Sequence, residues 1–369
     1  MIRLSKSSIS QLEKKAVIQV LESEYLGMGE YVDKFERKLS IFFGRPVVCV
    51  SSGTSALHLS LQAIGLKPND EVLVQSMTYI ATFQAISATG AKPVSCDVNP
   101  DTLTIDCKDA KKRLTSNTRA IIPVHYAGDP GELDTIYNFA KEHNLRVIED
   151  AAHAFGSKYK GSFVGSFGDI ACFSFDGIKN ITSGEGGCIV TNDKNVIKKV
   201  RDIRLLGVEE DTESRFLNKK SWKFDVCEQG WRYHMSNIMA AIGIKQLERS
   251  SELLAKRKNI AQKYDKLLEG ATKLKPILHN YSNIVPHIYV VVLEKGVNRD
   301  NLRQQLSSNG IETGVHYYPN HWLSLYRTKG VNIPVVESIY QRLLSLPLHP
   351  SLKESDLLYI CNTLKRCLL

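Results

Sequence analysis

Short apolar strands alternate with helical stretches through the first two thirds of this chain, and that alternation confines the fold to a mainly parallel α/β sheet. Residues 46–50, 71–75, 92–97, 119–124 and 145–149 read as strands. Most are apolar on both faces, as a sheet covered by helices on each side requires. Between them, 54–65, 79–90 and 132–143 carry helical spacing. Two further strands are predicted over 169–175 and 187–191, and then the pattern changes. Residues 236–270, rich in Ala, Lys, Leu and Glu, read as one long helix. A strand over 287–293, a helix from about 298 and closing helices over 335–346 and 353–368 complete a smaller α+β unit. The polar stretch 209–229 reads as a loop.

A chain of 369 residues is long enough for a large core and two units, predicted as a large domain over 1–245 and a smaller one over 246–369. Its hydrophobic fraction of 43% and charged fraction of 24% are those of a soluble globular protein. No apolar run approaches the roughly 18 residues that span a bilayer, and Met1–Ser8 leads into an amphipathic helical pattern without an apolar signal core. A cytoplasmic protein without membrane contact is expected. The eight cysteines are scattered, with no C-x-x-C pair, and most sit in apolar runs. They read as small buried hydrophobes, so neither a disulfide framework nor a metal site is expected. The net charge of +9 is spread along helix faces, which suits a small phosphorylated ligand at least as well as nucleic acid. No nucleic-acid partner is expected.

Three segments could carry chemistry. In Ser51-Ser-Gly-Thr-Ser-Ala-Leu57, between a strand and a helix, Gly53 permits a tight turn. Thr54 and Ser55 offer hydroxyls at a helix N-terminus, where free N–H groups favour a phosphate. An ordinary helix cap has the same composition. In Val147-Ile-Glu-Asp-Ala-Ala-His-Ala154, Asp150 follows a buried strand, where ligand crevices open in α/β sheets. A carboxylate there can pair with a protonated pyridine nitrogen, or simply form a turn. His153 is open to a functional or a structural role. In the third segment, Lys179 stands between Phe-Ser-Phe175 and Ser-Gly-Glu-Gly-Gly187. A lysine is usually a solvated surface residue, but glycines that allow close backbone approach make a functional one plausible.

Taken together and in this order, the segments resemble the DegT/DnrJ/EryC1/StrS family of sugar-nucleotide aminotransferases, members of pyridoxal-phosphate (PLP) fold type I. The resemblance runs from Gly29-Glu-Tyr-Val-Asp-Lys-Phe-Glu36 to Ser345-Leu-Pro-Leu-His-Pro350. It implies that Lys179 carries PLP as a Schiff base and that Asp150 pairs with its ring nitrogen. It implies phosphate contacts from Gly53, Thr54, Ser55 and Ser174, an aromatic stacked on the ring at Tyr79, and His153 near the ring oxygen. His316, Tyr317 and His321 match a loop beside the sugar pocket. The reaction implied is amino transfer, with glutamate as donor, to a 3- or 4-keto-6-deoxy sugar nucleotide, for surface polysaccharide or amino-sugar biosynthesis.

One segment departs from the family pattern. Where most members have Gly-Tyr-Asn-Tyr-Arg-Met, this chain has Gly230-Trp-Arg-Tyr-His-Met235, so Arg232 and His234 replace the usual Asn and Arg. In the family this segment crosses a dimer interface to the partner's cofactor phosphate. The resemblance therefore implies a homodimer with shared sites, with Arg232 meeting phosphate and His234 near substrate. Within the family, dehydratases carry histidine at the Lys179 position. A non-catalytic regulator on the same fold would have no need to keep Lys179, Asp150 and Ser174 together.

Overall fold

The computed structural model describes residues 1–208, 224–328 and 330–369. A seven-stranded sheet forms its centre. Its strands lie side by side in the order Val47–Val50, Gly187–Thr191, Ile170–Ser174, Arg146–Asp150, Thr118–Ile122, Glu71–Gln75 and Lys92–Cys96. Only Gly187–Thr191 runs against the others. Val72, Val74, Ile122, Ile148, Ile170 and Ile189 pack one face beneath helix Gly53–Ala63. Cys49, Ala171, Phe173, Cys188 and Val190 face Phe35, Leu39 and Phe43 of helix Glu30–Phe43. Apolar side chains on both faces are what gave these strands their continuous hydrophobic runs.

A three-stranded antiparallel sheet, Leu274–Pro276, Tyr289–Leu293 and Leu343–Leu346, packs against helices Ser250–Leu268, Arg299–Ser308 and Glu354–Leu368. The chain's first residues join this smaller unit. Ile2 bridges Ile311, and Leu348 N–H donates to the Leu4 carbonyl at 3.0 Å.

Two expected elements differ. The helix expected over 236–270 is two helices, Asn237–Glu248 and Ser250–Leu268, with a break at Arg249. The first packs on the two N-terminal helices and the second in the core of the smaller unit. Arg249 is held at the break by Glu13, 3.1 Å away. The division expected after residue 245 falls inside the first of these helices. The helix expected over 335–346 ends at Tyr340, and Leu343–Leu346 is a strand. Pairing with Tyr289–Leu293 buries Leu343, Leu344 and Leu346, a tertiary gain that overrides the local helical preference. Of the loop expected over 209–229, residues 209–223 lie outside the described residues. All eight cysteines are free and five are buried. Among the described residues no cluster suited to a metal occurs, and no helix is long and apolar enough to cross a membrane.

Candidate active site

The parallel strands end together, and their C-terminal ends open into a cavity of about 420 Å³. Gly53, Thr54, Tyr79, Asp150, His153, Ser174, Lys179, His316 and Tyr317 all line it. Gly53, Thr54, Tyr79, Asp150 and Ser174 stand at a strand end or at the helix start that follows one, as open α/β sheets dictate.

Helix Gly53–Ala63 points its N-terminus into this cavity. Ser52 caps it, accepting from Ser55 N–H at 3.0 Å. The loop before it is pressed against the neighbouring strands: a Cβ on Gly53 would lie 2.8 Å from Ser174 Cβ, and one on Gly187 2.5 Å from the Ser52 carbonyl oxygen. Glycine is therefore required at both positions for the helix start to approach Ser174. The Thr54 side chain is exposed into the cavity, whereas the Ser55 hydroxyl turns inward, 2.6 Å from Ser52 Oγ and 3.0 Å from Ser51 Oγ. Ser55 is thus part of the cap and does not line the cavity.

Asp150 is only 5% exposed. Its Oδ2 accepts from Thr82 Oγ1 at 2.7 Å and its Oδ1 from Ala152 N–H at 3.2 Å. Burial raises its pKa against the pull of these two hydrogen bonds, and no ion pair to it occurs among the described residues. A buried carboxylate without a cation is costly, so this one is suited to a cationic partner arriving in the cavity.

Lys179 lies in the turn after Phe175, with its N–H donating to the Asp176 carbonyl at 3.0 Å. Its amine is 3.5 Å from His287 Nε2. Burial pushes the Lys179 pKa down to about 8, while Asp176 and Asp150 pull the other way. A lysine so placed holds a larger share of neutral amine near neutral pH than an ordinary lysine does, the form that acts as nucleophile and base.

The remaining groups are largely aromatic. His153 Nε2 is 2.9 Å from the Tyr317 hydroxyl, and its ring lies 4.3 Å from that of His287. His316 Nδ1 meets Ser345 Oγ at 2.7 Å, and the Tyr126 hydroxyl donates to the His316 carbonyl. Burial drives His153 and His287 well below the ordinary imidazole pKa and His316 down to about 4. All three are neutral at physiological pH. Tyr79, 60% exposed, stands at the rim with its ring 5.9 Å from Tyr317.

Besides Ser55, three predicted residues lie elsewhere. His321 is buried between Ser76 Oγ (2.6 Å) and Glu337 (3.2 Å) and does not line the cavity. Arg232 is exposed, and neither it nor His234 lines the cavity of its own chain. Their segment runs beside the cradle, where Ser51 N–H donates to the Tyr233 carbonyl at 2.7 Å. Conversely, sequence reading missed Thr82 and His287. Thr82 stands three residues after Tyr79, one helical turn along, and that spacing was its available signal. His287 had none, being one polar residue at the start of an apolar strand.

These groups fit PLP. A helix N-terminus with hydroxyls meets a phosphate, a lone buried carboxylate meets a ring nitrogen, and a buried amine meets an aldehyde. The sequence profile of the DegT/DnrJ/EryC1/StrS aminotransferase family matches residues 7–365. GDP-perosamine synthase of Escherichia coli O157:H7 is 38% identical over 98% of this chain and 97% of its own length. The spore coat polysaccharide biosynthesis protein SpsC of Bacillus subtilis is 35% identical over 94% of this chain and 92% of its own. Among solved structures, Spr1654 from Streptococcus pneumoniae in its PLP form superposes with a TM-score of 0.91, at 30% identity over 99% of this chain and 98% of that one. Helicobacter pylori PseC, an aminotransferase involved in pseudoaminic acid biosynthesis, superposes with a TM-score of 0.92, at 27% identity over 99% and 98%. With a profile match over almost its full length, a PLP fold type I architecture and a cavity furnished for the cofactor, the chain belongs to the DegT/DnrJ/EryC1/StrS aminotransferase family and is a PLP-dependent aminotransferase.

Proposed function

We propose that this enzyme transfers an amino group from glutamate to a keto-sugar nucleotide, a 3- or 4-keto-6-deoxy sugar, in the cytoplasm, for surface polysaccharide or amino-sugar biosynthesis. The observation that carries the reading is the buried Lys179 amine, near pKa 8, sharing one cavity with the unpaired carboxylate of Asp150. PLP, when bound, supplies an electron sink that accepts an amino group from one substrate and yields it to another. Lys179 holds the cofactor between turnovers and, once released, moves a proton at the substrate carbon as general acid–base. Asp150 stabilises positive charge on the ring nitrogen, Thr82 orienting its Oδ2. Thr54, Ser174 and the free N–H groups of the helix start would hold the phosphate, with Tyr79 placed to cover the ring and His153 to meet its oxygen. His316 and Tyr317 line the sugar side. The sugar assignment draws on the perosamine, pseudoaminic acid and spore-coat polysaccharide relatives. Eight free cysteines accord with a reducing compartment.

The working unit in this reading is a homodimer. Lys179 is the one lysine or arginine lining the cavity among the described residues, yet a nucleotide sugar and glutamate bring several negative charges. Arg232, exposed beside the helix start at Gly53, would meet a neighbour's phosphate in this reading, with His234 near its substrate. The decisive experiment incubates purified enzyme and glutamate with a panel of keto-sugar nucleotides and reads product mass. Amination of one member is expected; amination of simple keto acids alone would overturn the sugar assignment.

A further inference from the structure

The cavity's least expected contact is the one between Lys179 and a histidine of the smaller unit. We propose that His287 holds the free Lys179 amine in its reactive position, and that the buried guanidinium of Arg257 fixes the spacing between the two residues. This inference rests on the reading of Lys179 as the cofactor-bearing amine.

Whenever Lys179 is not joined to the cofactor, its four-carbon stem can swing away from the reacting centre, and orientation is lost. His287 Nε2, 3.5 Å from Lys179 Nζ, is the hydrogen-bond partner that restrains it. The ring is kept neutral by burial. A neutral imidazole has one donor and one acceptor nitrogen. His287 Nδ1 is buried and has no hydrogen-bond partner among the described residues, so Nε2 is the ring atom that meets the amine. His287 therefore orients the amine. The ring is flanked by the tilted ring of His153, in turn held by Tyr317.

Arg257 is 2% exposed. Its Nη1 donates to the carbonyl of His287 at 3.1 Å and that of Leu348 at 3.3 Å, and its Nη2 to those of Ile178 at 3.0 Å and Lys179 at 3.3 Å. No carboxylate pairs with it among the described residues. A planar fork that bonds the backbones of both residues fixes their separation, which a lysine's single ammonium could not do. Burial lowers its pKa to about 10, so it remains charged.

The test compares His287→Leu, His287→Asn, His287→Gln and Arg257→Lys in apo-protein prepared by removing PLP. Two quantities are measured. One is the rate at which added PLP becomes covalently attached, Lys179 Nζ and the aldehyde carbon joining with loss of water, followed by absorbance. The other is the affinity for pyridoxamine phosphate, which has no aldehyde and needs no lysine. Leu and Asn, neither able to reach Nζ, should slow attachment about tenfold, the worth of one hydrogen bond. Gln, which can reach it, should recover most of the rate, and Arg257→Lys should slow attachment as Leu does. Pyridoxamine phosphate should bind all four variants as it binds the parent. If His287→Leu fails to fold, the Asn and Gln pair makes the same comparison. Attachment at the parental rate in the Leu or Asn variant overturns the role of His287, and a parallel loss of pyridoxamine phosphate affinity reassigns it to cavity shape. Parental attachment in Arg257→Lys overturns the brace. If covalent PLP persists in Lys179→Ala, it is the underlying assignment of Lys179 that fails.

Discussion

The two halves of the cavity are built on different principles. Gly53, Asp150 and Ser174 sit on backbone that the large sheet fixes directly: Asp150 pairs with Cys172 and Ser174 with Gly187 in strand register. His153, His287, His316 and Tyr317 are held by side chains reaching across the fold, through Tyr317 to His153, Ser345 to His316 and Arg257 to the His287 carbonyl. Sheet geometry survives the loss of one side chain, whereas a network of single contacts transmits such a loss to its neighbours. The strand-end half is thus suited to gripping a cofactor. The histidine half is suited to tuning the amine that lies between them.

Lys179 is where the halves meet, so its loss should be the most severe. Lys179→Ala is expected to fold, to bind PLP without a covalent link, and to lose at least about 10⁴-fold in kcat, the upper range for a positioned acid–base group. Borohydride reduction followed by peptide mapping checks it, and an adduct on another lysine would refute the assignment. The pH dependence of cofactor attachment comes next. Attachment needs the neutral amine, so its rate in apo-protein should climb about tenfold per pH unit and level off near 8. Below that pH the ammonium form dominates and the rate falls. A climb continuing toward the ordinary lysine value would show that burial has little effect on this amine.

Asp150→Asn tests the strand-end half and should cost about 10²-fold in single-turnover rate with glutamate, as expected for an electrostatic group facing developing charge. PLP should still bind, and an unchanged rate would reduce Asp150 to a turn residue. Gly53→Ala should destabilise the protein by about 1–3 kcal/mol, the range for overpacking, because its Cβ would meet Ser174. Thermal unfolding with and without PLP should show the cofactor's stabilising effect diminished. The smallest effect should come from Tyr317→Phe. It removes the hydroxyl that fixes His153, and a few-fold fall in kcat with KM unchanged is expected for one neutral hydrogen bond. If this substitution proved as damaging as Asp150→Asn, the distinction between a gripping half and a tuning half would collapse.

The same division decides what could be read in the sequence. Gly53, Asp150, Ser174 and Lys179 lie within contiguous motifs, because a strand end and the loop after it are written consecutively in the chain. The strands with apolar runs on both faces were legible for the same local reason. His287 was not, since its meaning depends on a lysine more than a hundred residues earlier. Leu343–Leu346 was misread as helix because the strand it pairs with lies far away in sequence. Arg249 hides a helix break that its Glu13 partner reveals only in three dimensions. His321 stood in a suggestive loop, yet Ser76 and Glu337 occupy both of its ring nitrogens. In these cases a long-range contact escaped the sequence, whereas Ser55 was turned inward by its near neighbours Ser51 and Ser52.

The helix start at Gly53, proposed above to hold the cofactor phosphate, also carries a consequence for how the protein forms. Its loop follows strand Val47–Val50, which sits at the edge of the sheet beside Gly187–Thr191, the last strand of the large sheet to be synthesised, and whose Val50 also bridges His234, made later still. During translation, residues 47–54 must therefore wait, unpaired, while the intervening strands and helices are made. Closing so long a loop costs entropy before any contact rewards it. The cofactor site is consequently among the last parts of the large unit to assemble, so a nascent chain acquires its grip on PLP only once its central sheet is complete.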